Sequence, residues 1–198
     1  IVFGNNDTPG VMLSSAAKEY LKVYGVLVGK NPLIFTNNDS GYETAIEFKK
    51  NGVDPVILDT RKNPQSEIID EAKNLGINIK NSYVVVVAQG YKKVKSADIA
   101  KISDDKNKLG TLENIKCDCI CVSGFWTPTI HLTSQSGNKT QFNKDIDAFV
   151  PGIPKQNEKT LGAANGVFTL TETLKSSFDT AHELSKKLQT MTTKFLFQ

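Results

Sequence analysis

The sequence has no apolar run of the roughly 18 residues that a helix needs to span a bilayer, and no basic–apolar leader opens it. A membrane role is therefore not expected. Strong charge of either sign is also missing: 24 lysines and arginines against 21 aspartates and glutamates leave only +3 over 198 residues. That balance gives no reason to expect nucleic acid or an anionic surface as partner. Cysteine is scarce, odd in number and confined to Cys117-Asp118-Cys119-Ile120-Cys121. Three clustered thiols without a Cys-x-x-Cys pair argue against both a secreted disulfide framework and a redox motif, so a cytoplasmic location is expected. The chain lacks an initiator methionine and opens on Ile1-Val2-Phe3, which reads as an excised or processed chain. No repeat or low-complexity tract is visible. What is present is an ordinary folded composition, 39% hydrophobic and 23% charged, in a chain long enough for one large domain or two small ones.

Hydrophobic patterning gives an α/β class. Ile1-Val2-Phe3 reads as the end of a strand, followed by the loop 4–10. Ala16, Ala17, Tyr20 and Leu21 then fall on one helical face, with Ser14 or Ser15 as cap. The clearest grammar lies at 33–59. Leu33-Ile34-Phe35-Thr36 is a buried strand, Asn37-Asn38-Asp39-Ser40-Gly41 a turn, and 42–50 a helix that ends at Asn51-Gly52. A second strand follows at 55–59. Such a unit predicts parallel strands joined by a right-handed crossover. A helix at 64–75 follows. Then come antiparallel strands at 77–80, 83–88 and 92–102, a solvated loop at 104–108, and a last strand at 115–122 that carries the cysteines. Residues 134–160 show little regular pattern. A long helix is predicted over 171–188.

Three features bear on chemistry. The turn after the first strand occupies the place of a dinucleotide-binding G-x-G-x-x-G and reads Thr36-Asn37-Asn38-Asp39-Ser40-Gly41. Only the last glycine, the one required for close helix–strand packing, is kept. Asp39 puts a negative charge where a phosphate would dock on the helix N-terminus. Asp59 stands where an acidic residue would bind a ribose. The unit therefore has the shape of a nucleotide module with a disabled phosphate turn. Second, Cys117, Cys119 and Cys121 alternate by two, so all three point to one face of a strand; buried small side chains are favoured over a metal site, because no fourth ligand is near and His131 and His182 are isolated. Third, Gly162-Ala163-Ala164-Asn165-Gly166 precedes a helix. Small residues there fit either a close backbone approach to a ligand or tight packing of helix on sheet, and both readings stay open. Trp126, beside Pro128, reads as a loop anchor.

Phe35-Thr36-Asn37-Asn38-Asp39-Ser40, Val122-Ser123-Gly124-Phe125-Trp126-Thr127-Pro128, His131-Leu132, Ser134-Gln135-Ser136-Gly137 and the 162–166 run occur in this order. Together with Gly4-Asn5-Asn6-Asp7-Thr8-Pro9-Gly10-Val11-Met12-Leu13, they resemble the α subunits of heterotetrameric sarcosine oxidases. The resemblance covers almost the whole chain. It implies a FAD/NAD(P)-binding, glutathione-reductase-like fold: a Rossmann-like three-layer domain with a parallel sheet plus an antiparallel meander, and part of a second, nested domain. By that resemblance, residues 1–30 end a first dinucleotide-binding domain, 31–123 form an inserted second one, and 124–198 return to the first. NAD is then expected in the first domain, faced by Gly162, Ala163, Ala164, Asn165 and Gly166, with Thr169 and Thr171 beside them. Flavin-binding relatives carry a Gly-Asp pair here; Ala163 removes that carboxylate, which suggests NAD. The resemblance further implies FAD and FMN in the whole complex, β, γ and δ subunits as partners, and tetrahydrofolate handled outside this sequence. No catalytic residue falls within it. Two other readings are a subunit of a related amine or opine dehydrogenase, and a non-catalytic Rossmann-like assembly module.

Overall fold

Strict alternation along three short strands sorts the core of the first part of the molecule into two layers. The computed structural model describes every residue except 104, 106, 107, 197 and 198, with side chains described up to Leu188. Residues 1–125 and 126–198 form two compact units.

The first unit is built on a five-stranded parallel sheet of order β1-β8-β2-β3-β4. Its strands are β1 (Val11–Leu13), β2 (Pro32–Thr36), β3 (Val56–Asp59), β4 (Asn78–Asn81) and β8 (Cys119–Ser123). Side chains on a strand alternate between faces. Ile34, Ile57, Cys119 and Cys121 accordingly point to one layer, with Ala17 and Leu21 of α1 (Ser14–Tyr24), Tyr42, Ala45 and Phe48 of α2 (Ser40–Lys50), and Ile69 and Ala72 of α3 (Glu67–Asn74). Leu33, Phe35, Leu58 and Ile120 point the other way. There they meet Val85, Ala97 and Ile99 of an antiparallel meander made of β5 (Tyr83–Gln89), β6 (Ser96–Lys101) and β7 (Glu113–Lys116). The result is helices, parallel sheet and antiparallel sheet in three layers, as expected from the sequence. All five residues of β2 are buried, as a strand covered on both faces must be.

Several predicted elements differ. Residues 1–3 form no strand; Phe3 is buried edge-on against Phe35, and Gly4 makes an isolated bridge to Val87. Neither Ser14 nor Ser15 caps α1, because the cap position is Leu13, with no side-chain bond. β4 runs parallel to β3 in the main sheet instead of joining the meander. The single cysteine strand is two strands in two sheets, interrupted at 117–118, where the Asp118 carboxylate accepts hydrogen bonds from the backbone N–H groups of Lys30 and Asn31. Packing does not break at residue 30: β1 pairs in parallel with β8, and α1 contributes to the helical layer. Most of the loop expected at 104–108 lies outside the described residues.

The second unit holds a short helix α4 (His131–Gln135), an antiparallel hairpin of β9 (Thr140–Asn143) and β10 (Ala148–Pro151), a 3-10 turn over Gly162–Asn165, and the long helix α5 (Leu170–Leu196). The end of α4 and the whole hairpin lie in the stretch 134–160 that showed little pattern in sequence. Phe142 and Phe149 sit directly across the ladder as an edge-to-face pair, while Ala148 and Val150 turn inward.

Candidate functional site

Three neighbouring strands of the parallel sheet end on buried polar residues in one register row: Ser123 of β8, Thr36 of β2 and Asp59 of β3. The chain leaves β2 for β3 through α2, whereas β8 lies on the other side of β2. The carboxyl ends of β2 and β8 therefore flank the topological switch point, where open α/β sheets bind ligands.

Here the switch point is filled by the chain's own side chains. Asn38 Oδ1 accepts from Ser40 N at 3.0 Å, Ser40 Oγ at 2.6 Å and Ser123 Oγ at 3.2 Å. Its Nδ2 donates to Gly124 O and, at 3.1 Å, to Asn37 Oδ1. The Ser40 and Ser123 hydroxyls are 2.6 Å apart, and Thr36 Oγ1 donates to Asn38 O at 2.8 Å. Gly41 is required by close approach: a Cβ there would stand 2.7 Å from Thr36 Cβ and Oγ1. This is the one glycine of the fingerprint that the sequence keeps, and its packing role is intact.

Asp59 is fully buried, and a buried carboxylate needs a complete set of donors. Tyr42 Oη donates at 2.8 Å, Arg61 N at 2.9 Å, and the Arg61 guanidinium through Nε at 3.1 Å and Nη2 at 2.8 Å. Arg61 Nη1 reaches on to Asp39 at 2.8 Å. Burial opposes the Arg61 charge, but the bonds to Asp59 and Asp39 hold its pKa above the ordinary arginine value. Burial, then the bond to Asp59, pushes the Tyr42 phenol far above its usual range. Asp59 is thus committed to Tyr42 and Arg61 and is not free for a ribose. Sequence reading missed both partners. The available signal was an Asp at a strand end with an Arg two residues on, where the carboxylate accepts the backbone N–H at i+2.

The second predicted site is built differently. Gly162 and Gly166 have φ of 60° and 81°, in the left-handed region that favours glycine. Gly162 is buried and faces Thr173, while Ala163 and Asn165 are exposed. Thr169 caps α5: its Oγ1 accepts from Glu172 N at 3.4 Å, as an N-cap side chain does, and donates to Glu172 Oε2 at 2.5 Å. Glu172 places a carboxylate at that helix start, which disfavours a phosphate on the first turn itself, where exposed Thr171 also lies. Both glycines of the 162–166 run pack against the chain itself: a Cβ at Gly162 would lie 2.9 Å from Thr173 Cγ2, and one at Gly166 2.8 Å from Ile146 Cδ1.

The cysteines do not converge. Cys119 and Cys121 share the helical face with sulfurs 3.4 Å apart, but Cys117 packs in the other core layer. Among the described residues no group of three or more His, Cys, Asp or Glu is placed to hold a metal ion. Burial pushes the Cys117 thiol up to about 12, and the bond to Cys119 together with burial holds Cys121 well above its ordinary value. The bond to Cys121 lowers the Cys119 thiol, but all three are buried, so all should resist maleimide in the folded chain and react once it is unfolded. The linkage has a definite sign. The folded pKa of Cys117 is raised from 9.0 to about 12, so its contribution is complete below the unfolded value and is lost as pH rises through the folded one. Urea midpoints at about pH 8 and about pH 10 should therefore fall with pH, and fall less in Cys117→Ala.

No family model matches the chain. Among curated proteins it is 32% identical over 176 residues to sarcosine oxidase subunit alpha of Corynebacterium sp. (strain P-1), covering 88% of this chain and 18% of that protein. It is 35% identical over 166 residues to sarcosine oxidase subunit alpha of Rhizobium meliloti (strain 1021), covering 83% and 16%. This chain is a relative of the sarcosine oxidase α subunits. It spans less than a fifth of their length. Among solved structures, an HOCl-induced flavoprotein disulfide reductase of Escherichia coli superposes with a TM-score of 0.61 at 14% identity, over 87% of this chain and 38% of that one. Thioredoxin reductase of T. acidophilum superposes with 0.57 at 14% identity, over 82% and 56%. These likenesses show the fold alone: a Rossmann-like α/β domain. Among the described residues no helix is long and apolar enough to cross a membrane.

Proposed function

We propose that this chain is a segment of a sarcosine oxidase α subunit that contributes to NAD binding and subunit assembly and does not carry the flavin chemistry. The observation that carries this reading is the 32% identity to a named α subunit along 88% of the chain. The whole enzyme would oxidise sarcosine to glycine, reduce oxygen to hydrogen peroxide and pass the one-carbon unit to tetrahydrofolate, acting as an oxidoreductase on a CH–NH donor. FAD and FMN would supply the redox chemistry, with β, γ and δ subunits as partners. Residues 31–123 take the role of the inserted dinucleotide-type domain, with 1–30 and 124–198 belonging in sequence to the first one. NAD would be faced by Gly162, Ala163, Ala164, Asn165 and Gly166, flanked by Thr169 and Thr171. The filled switch point favours a scaffold role for the module at 31–123.

On this reading the segment alone holds only part of an NAD site. Titration of the 198-residue chain with NAD should show no binding tighter than roughly millimolar. Micromolar binding by the chain alone would overturn the division of roles.

A further inference from the structure

The filled switch point does more than exclude a ligand, because its hydrogen bonds reach the place where the chain leaves the first compact unit. β1 pairs with β8 only as far as Leu13↔Val122, so Ser123 is laddered on one side alone, to Thr36. The turn supplies what the ladder lacks. Asn37 N–H donates to Ser123 O at 3.3 Å, Asn38 Nδ2 donates to Gly124 O, and the Ser123 hydroxyl joins Ser40 Oγ and Asn38 Oδ1. Phe125, the last residue of the unit, follows at once with 72% of its surface exposed, and Trp126 is 57% exposed.

We infer that the turn at 36–41 is a latch: Asn38, with Ser40 and Ser123, pins residues 123–124 and so fixes the point at which the chain exits the first unit. The amide suits this job because it donates to one carbonyl while accepting from two hydroxyls and a backbone N–H. Aspartate at 38 would keep the acceptors and turn the donor toward Gly124 into a repelling oxygen. The glycine that a phosphate turn carries at position 38 has no side chain to make the bonds of Asn38.

Limited chymotrypsin digestion of the 198-residue chain tests this, with Phe125 and Trp126 as reporters and cleavage sites located by peptide mass. Local opening governs such cleavage when reclosing is fast. Asn38→Ala and Asn38→Asp should each speed cleavage after Phe125 or Trp126 by about tenfold or more, with little change at sites elsewhere. Ile69→Val, in the helical layer, is the control for general loss of stability. Ser123→Ala, which removes only a hydroxyl, should accelerate the same cleavage several-fold and serves should the Asn38 variants fail to fold. The latch is refuted if the Asn38 variants, or Ser123→Ala in their place, are cut at 125–126 no faster than an Ile69→Val chain of equal thermal stability.

Discussion

Asp59→Ala is expected to lower the unfolding free energy of the first unit by about 3–5 kcal/mol, the range for removing one partner of a buried ion pair. The carboxylate is fully buried and receives the Tyr42 hydroxyl, the Arg61 backbone N–H and the Arg61 guanidinium. Its loss leaves a buried phenol without an acceptor and removes the buried one of the two anions holding the guanidinium. Tyr42→Phe should cost only about 1 kcal/mol, since Asp59 keeps the Arg61 bonds. The two should not add: once Asp59 is gone, removing the hydroxyl takes away an unsatisfied group, so Tyr42→Phe should be close to neutral in that background. Urea unfolding of the two single variants and the double variant measures the coupling. Additive losses would mean that the three side chains do not act as one network.

Gly166→Val is expected to destabilise the second unit by about 2–5 kcal/mol from two sources. The backbone sits at φ 81°, and a side chain in the left-handed region costs about 1–2 kcal/mol. The space is also taken: a Cβ there would lie 2.8 Å from Ile146 Cδ1 and 3.0 Å from Val150 Cγ1. Overpacking of this kind adds about 1–3 kcal/mol. Gly25 separates the two effects. Its φ is 64°, but nothing lies within 4 Å of its missing Cβ. Gly25→Ala should therefore show the backbone cost alone, about 1 kcal/mol. Equal losses at the two positions, read by urea unfolding, would contradict the packing around Gly166.

The parts of this fold that were legible in sequence are those whose cause is local. Leu33-Ile34-Phe35-Thr36 announces a strand buried on both faces, and Gly52 and Gly76 mark helix ends at φ 78° and 70°. The disabled phosphate turn was legible too, from the two missing glycines and Asp39. What escaped depends on partners far along the chain. Asp118 breaks the cysteine run because it accepts the backbone N–H groups of Lys30 and Asn31, more than eighty residues away. β4 joins the parallel sheet because β3 offers an edge, and the sequence 77–81 alone does not record that. The hairpin of β9 and β10 had a faint signal in the alternation of Ala148 and Val150, masked by two aromatics that pair outward. At the candidate site, Asp59 was visible as an acidic residue at a strand end. Its commitment to Tyr42 was not, since that bond joins a helix to a strand seventeen residues on.

The switch point of the first unit is filled by its own side chains, and we propose that NAD contact belongs to the small residues at 162–166. The most direct measurement is NAD affinity of the complete, assembled enzyme carrying Gly162→Val or, separately, Asp39→Ala. A valine at 162 meets both a φ of 60° and the Thr173 methyl 2.9 Å from its Cβ, so it must distort the run proposed to face NAD. At least about a tenfold loss of NAD affinity, roughly 1.4 kcal/mol, is expected for Gly162→Val and no change for Asp39→Ala. Unchanged affinity in Gly162→Val, with altered affinity in Asp39→Ala, would place the dinucleotide at the switch point and contradict that proposal.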